Sequence, residues 1–133
     1  MSDFPVTVFH NPACGTSRNV VAMIEAAGYR PEVVEYLKAG WTRDQLAALF
    51  AAAGITPREA LRPKGTLVAE LGLLEPDVSD ATLLAAMVEH PVLVNRPIVR
   101  TPMGVAMCRP SEKVFDLLEQ RPDRFVKEDG EAV

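Results

Sequence analysis

Apolar side chains alternate with other residues around Val6 and Val8, a period of two that predicts a strand over Val6 to His10. The loop Asn11-Pro12-Ala13 follows, and the period then changes. Val20, Val21, Ile24 and Ala27 recur at helical spacing until Gly28 supplies a stop. Glu32 to Tyr36 reads as a second strand and closes a β-α-β unit. A crossover this short implies parallel pairing with a right-handed connection.

The middle of the chain is helical. Thr42 and Gln45 have capping-box spacing ahead of Leu46, Leu49 and Phe50. Short segments over Pro57 to Leu61 and Thr66 to Leu71 come next, then Ser79 to Glu89 with Leu83, Leu84, Met87 and Val88. Strands return at Ile98 to Thr101 and Val105 to Cys108, flanking Pro102-Met103-Gly104, where proline and glycine occupy type I turn positions. A helix over Ser111 to Glu119 follows, with Val114, Phe115, Leu117 and Leu118 as its apolar set. The charged tail from Arg121 onward is expected to be loosely held. Residues 1–133 therefore read as a single domain with a helical insertion at about 42–90. The order is compatible with an α/β thioredoxin-like architecture, with a small mixed sheet. In that architecture Arg96-Pro97 falls where a cis-proline sits beside the active thiol, and X-Pro is the peptide bond for which cis is accessible.

Composition narrows the function. With 48% apolar and 24% charged residues the chain belongs with folded globular domains. A net charge of −4 argues against sequence-independent binding of nucleic acid, which needs a basic face. No apolar run approaches the ~18 residues that span a bilayer, and MSDFPVTVF has no signal-peptide pattern. Cys14 and Cys108 make neither a disulfide framework nor, with His10 and His90, a metal-ligand spacing. A cytoplasmic monomer with free thiols is expected.

Cys14 stands at the strand-to-helix junction. Residue type alone favours an inert buried cysteine. Its polar neighbours Asn11, Thr16, Ser17 and Arg18 favour a reactive one. Unpaired backbone N–H groups and the helix dipole at a helix start stabilise thiolate over thiol. They also suit a tetrahedral oxyanion. His10 and Arg18 are local candidates for lowering the thiol pKa. A cation such as Arg18 in the first turn opposes the dipole, a balance that a bound anion would change. Ser17 occupies the position a Cys-x-x-Cys site would give to its second thiol, so a redox partner must come from elsewhere. Its hydroxyl either caps the helix or bonds the thiolate. Val20 excludes the Cys-x₅-Arg loop of phosphatases. Cys108 ends an apolar strand and reads as inert.

HNPACGTSRN at 10–19, LVNRPIV at 93–99, CRPSE at 108–112 and KEDGE at 127–131 together resemble the glutaredoxin-coupled arsenate reductase family, across nearly the whole chain. The resemblance implies a thioredoxin-like fold with a helical insertion and reduction of arsenate to arsenite. It makes Cys14 the nucleophile, with glutathione as co-substrate, a glutaredoxin as partner and no bound metal or cofactor. Three arginines of the family pattern map onto Arg62, Arg96 and Arg109, which with Cys14 and Ser17 form the expected substrate site. Arginine's planar fork suits an oxyanion, and His10 is placed to tune the thiolate by hydrogen bonding or charge. Two departures stand out. Arg62 precedes Pro63, which disfavours helical backbone at residue 62. Arg100 is a cation on a strand, either facing solvent at an edge or adding charge to the site. The alternatives keep the fold: a thiol-dependent regulator that binds RNA polymerase, or another glutathione-dependent reductase.

Overall fold

The computed structural model describes residues 4–122, 124–130 and 132. They divide into two compact units, one made of residues up to Tyr36 and from Arg96 onward, the other of Leu37–Asn95. The second unit is a few residues wider at either end than the insertion read from periodicity.

The first unit is built on four strands, β1 (Thr7–His10), β2 (Glu32–Glu35), β3 (Ile98–Thr101) and β4 (Gly104–Met107). Their order is β2-β1-β3-β4. β1 pairs parallel with β2 and antiparallel with β3, and β4 is antiparallel to β3. The β1–β2 crossover is α1 (Gly15–Ala26). It ends where Gly28, at φ +100°, takes a backbone conformation that a side chain would disfavour, its N–H bonded to Glu25 O. Val20, Met23 and Ile24 on α1 are buried with Val8, Val99 and Cys108, and with Val114 and Leu117 from beyond β4. Burial of each large apolar side chain there contributes about 1.5–3 kcal/mol.

Three differences from the sequence reading have physical causes. Residues Ser111–Leu117 form a 3-10 helix rather than an α-helix. Ser111, Val114 and Leu117 are all buried, a spacing of three that matches three residues per turn. β3 is an inner strand, so Arg100 is not at an edge; it is exposed on the sheet, its guanidinium 5.6 Å from the centroid of the Phe9 ring. The tail is tied down as well: the Glu128 N–H donates to Asn19 Oδ1 at 3.0 Å, and Val126 bridges to Ala132 within the tail. Lys127 and Glu128 make ion pairs described below, while Glu131, the last residue of KEDGE, lies outside the described residues.

The second unit contains α3 (Arg43–Ala53), α4 (Pro57–Ala60), α5 (Thr66–Glu70) and α6 (Asp80–Glu89); the short α2 (Tyr36–Ala39) leads into it. The expected box at Thr42 and Gln45 forms, with the Gln45 N–H donating to Thr42 Oγ1 at 3.1 Å. A second box at Thr56 and Glu59, with glutamate in place of glutamine at the same spacing, opens α4. Ser79 caps α6. Leu46, Leu49, Phe50, Leu83 and Met87 are buried where α3, α4 and α6 pack together. Residues before Pro63 run extended: Leu61 bridges Val94 and the Arg62 N–H donates to Leu93 O at 2.8 Å. Among the described residues no helix is long and apolar enough to cross a membrane.

Candidate active site

The strand registers decide which residues meet. Phe9 pairs with Ile98, and Ile98 with Met107. The end of β1, the start of β3 and the end of β4 therefore lie at one edge of the sheet. From that edge emerge the Cys14 loop, Arg96-Pro97 and Cys108-Arg109. Arg96-Pro97 is cis, as is Arg109-Pro110, and the Cys108 N–H donates to Pro97 O at 2.9 Å, fastening β4 to the proline segment.

The loop from β1 to α1 is held by its own polar groups. Asn11 Oδ1 accepts from the Ala13 N–H at 2.9 Å, and Asn11 O accepts from the Cys14 N–H at 3.0 Å. This places Cys14 as the N-cap of α1, with extended backbone (φ −98°, ψ 121°) and no acidic residue in the first turn. The thiol is half-buried, and burial raises its pKa. That is outweighed by the Ser17 backbone N–H, by the guanidinium of Arg96 and by a hydrogen bond from Arg109, so the net direction is downward. Arg109 Nη1 stands 3.8 Å from Cys14 Sγ and also donates to Arg96 O at 2.9 Å. Arg96 is buried, its Nε and Nη1 out of solvent.

Ser17 neither caps the helix with its hydroxyl nor turns it to the sulfur. Fully buried, its Oγ accepts from the Asn11 N–H at 3.1 Å and shares a hydrogen bond with His10 Nδ1. Burial lowers the His10 pKa; Glu35 opposes this and Arg18 adds to it. The net shift favours the neutral imidazole, and its bonded contact is the Ser17 hydroxyl rather than the thiol. Arg18 does not stand open to an anion, because Glu128 takes its Nε and Nη2 at 2.9 and 3.0 Å while Nη1 donates to Pro12 O at 2.8 Å.

Cys108 contrasts with Cys14. It is fully buried, and burial pushes its pKa up to about 12. The sheet unit thus brings together Cys14, His10, Ser17, Arg96 and Arg109 around one polarised thiol. Arg62 belongs to the helical unit, where it lines a cavity of about 220 Å³ with Lys64, Gly65 and Thr66. Among the described residues no group of three His, Cys, Asp or Glu side chains could hold a metal ion. The roles of Lys127, Glu128 and Glu112 had no signal beyond the KEDGE and CRPSE resemblance, since ion pairs between distant segments have no period.

A mixed four-stranded sheet that presents one activated cysteine at a helix start, beside a cis-proline, defines an α/β protein of the thioredoxin-like class. Its closer kinship is recorded in the chain itself, for residues 9–117 match the model of the ArsC family. The protein belongs to that family. Arsenate reductase ArsI1 of Synechocystis sp. is 60% identical over 100% of this chain and 93% of its own length. The arsenate reductase of Escherichia coli is 47% identical over 96% of this chain and 92% of its own. Among solved structures, the arsenate reductase from Vibrio cholerae superposes with a TM-score of 0.83 at 36% identity, covering 88% of this chain and 100% of that one.

Proposed function

We propose that this protein reduces arsenate to arsenite, with Cys14 as the single nucleophile and with glutathione and a glutaredoxin as external thiol donors. The observation that carries the reading is the downward-shifted Cys14 thiol beside Arg96 and Arg109. It stands in a chain whose relatives of 47–60% identity are named arsenate reductases.

Arsenate at neutral pH is a tetrahedral anion, and guanidinium groups offer it paired donors along with charge. The Cys14 thiolate attacks As(V), an S–As bond forms, and an arsenate oxygen leaves as water after taking up protons. Glutathione thiolate then attacks the Cys14 sulfur. The S–As electron pair returns to arsenic, which departs as arsenite, As(III), and leaves a Cys14–glutathione disulfide. The two electrons come from the two sulfurs. A glutaredoxin thiolate attacks the glutathione sulfur of that disulfide and releases the Cys14 thiolate. Ser17 in place of a second cysteine supports this use of outside thiols, and so does the burial of Cys108. Arg96 and Arg109 bind the oxyanion and hold the thiolate ionised. His10 acts through the Ser17 hydroxyl, fixing the loop that presents the sulfur.

The test is steady-state arsenate reduction with glutathione and a glutaredoxin, on wild type, Cys14→Ser and Cys108→Ser. Arsenate-dependent turnover is expected in wild type and Cys108→Ser and lost in Cys14→Ser. No turnover in the complete wild-type system overturns the reading. Equal loss in both variants overturns the single-thiol mechanism.

A further inference from the structure

The chemistry of Cys14 leaves one set of contacts unexplained. Lys127 Nζ lies 2.8 Å from Glu112 Oε1, with the lysine side chain largely covered. Its neighbour Glu128 accepts from Arg18 Nε and Nη2 at 2.9 and 3.0 Å, and the Glu128 N–H donates to Asn19 Oδ1 at 3.0 Å. Arg18 in turn donates from Nη1 to Pro12 O, inside the Cys14 loop. Two consecutive residues therefore reach two different elements, one the first turn of the 3-10 helix that follows Arg109, the other the first turns of the helix opened by Cys14.

The location suits fastening. On α1 the apolar contacts begin at Val20, and on the 3-10 helix at Val114. The polar ends of these elements, from which Cys14 and Arg109 project, lie ahead of that packing. We propose that Lys127 and Glu128 are positioning residues: they clasp the start of α1 to the start of the 3-10 helix and so set the approach of the Arg109 guanidinium to the Cys14 sulfur. The proposal rests on the reading of Cys14 as the reactive thiol, but not on arsenate being its substrate.

The experiment compares wild type with Lys127→Gln/Glu128→Gln in two assays. One is the rate of Cys14 alkylation by iodoacetamide as a function of pH, which needs no arsenate. The other is arsenate turnover resolved into KM and kcat. Loosening the clasp is expected to move the alkylation profile to higher pH and raise KM about threefold, an effect on the modest scale of partly exposed ion pairs, while kcat stays within about twofold. Lys127→Glu alone, which sets two carboxylates against each other, is expected to do the same, and Glu112→Lys/Lys127→Glu to restore both readouts. A lowered melting temperature with an unmoved alkylation profile and KM would make the clasp a stability device only and overturn the proposal. A charge swap that performs no better than Lys127→Glu would overturn it too. Should wild type lack arsenate turnover, the alkylation profiles still decide the matter.

Discussion

Replacing Arg109 by alanine removes the guanidinium whose Nη1 lies 3.8 Å from Cys14 Sγ. At that separation two unit charges attract by about 4 kcal/mol at an effective dielectric of ~20. Cys14 is half-exposed, so solvent screening reduces the figure to roughly 1–1.5 kcal/mol. A difference of that size changes the thiol ionisation constant about five- to tenfold. The assay is alkylation by iodoacetamide from pH 5 to 10, on a Cys108→Ala background so that one thiol is read. We expect the alkylation profile of Arg109→Ala to move to higher pH by about 0.7–1 pH unit. Arg109→Lys keeps the charge and loses the fork, so it should fall between. An Arg109→Ala profile that coincides with that of the Arg109 parent would refute the reasoning, because the Ser17 N–H and Arg96 would then suffice to ionise the thiol.

Three further outcomes follow from the same geometry. Ser17→Ala strands the Asn11 N–H and His10 Nδ1 in a buried setting, and should lower unfolding free energy in urea by about 1–3 kcal/mol. Cys14 has a folded pKa below its unfolded value, so its ionisation stabilises the fold above about pH 8.5 and that contribution is lost as pH falls through the folded value. The melting-temperature advantage of wild type over Cys14→Ser should accordingly shrink toward acid. Cys108, held near pKa 12 by burial, should resist iodoacetamide at pH 8 in the native protein and react once it is unfolded.

Local signals were legible in the sequence. The Thr42 box, the Gly28 stop and the period-two and helical runs all correspond to elements within a residue or two. The helix over Ser111 to Glu119 was misread in kind, because Val114, Phe115, Leu117 and Leu118 satisfy α and 3-10 spacing almost equally over two turns. The site residues of the sheet unit were legible as residue types; their partners were not. Ser17 presented a serine at a helix start, where capping is the common role, yet its hydroxyl turns back to His10 and Asn11 because the loop carries buried polar groups that need partners. Arg18 read as a cation open to an anion, and Glu128, more than a hundred residues away, closes it. Such pairs depend on where the chain returns in space, which neither propensity nor periodicity encodes.

The registers Phe9↔Ile98 and Ile98↔Met107 carry a last consequence. Cys14, Arg96 and Arg109 come from three separate chain segments, and only correctly aligned strands deliver them to one place. A slip of one residue between β1 and β3 would turn the faces of a strand over and carry Arg96 away from the thiol. Reactivity at Cys14 is thus a readout of sheet assembly: a fast-alkylating thiol marks molecules in which the β1–β3 and β3–β4 pairings have both closed.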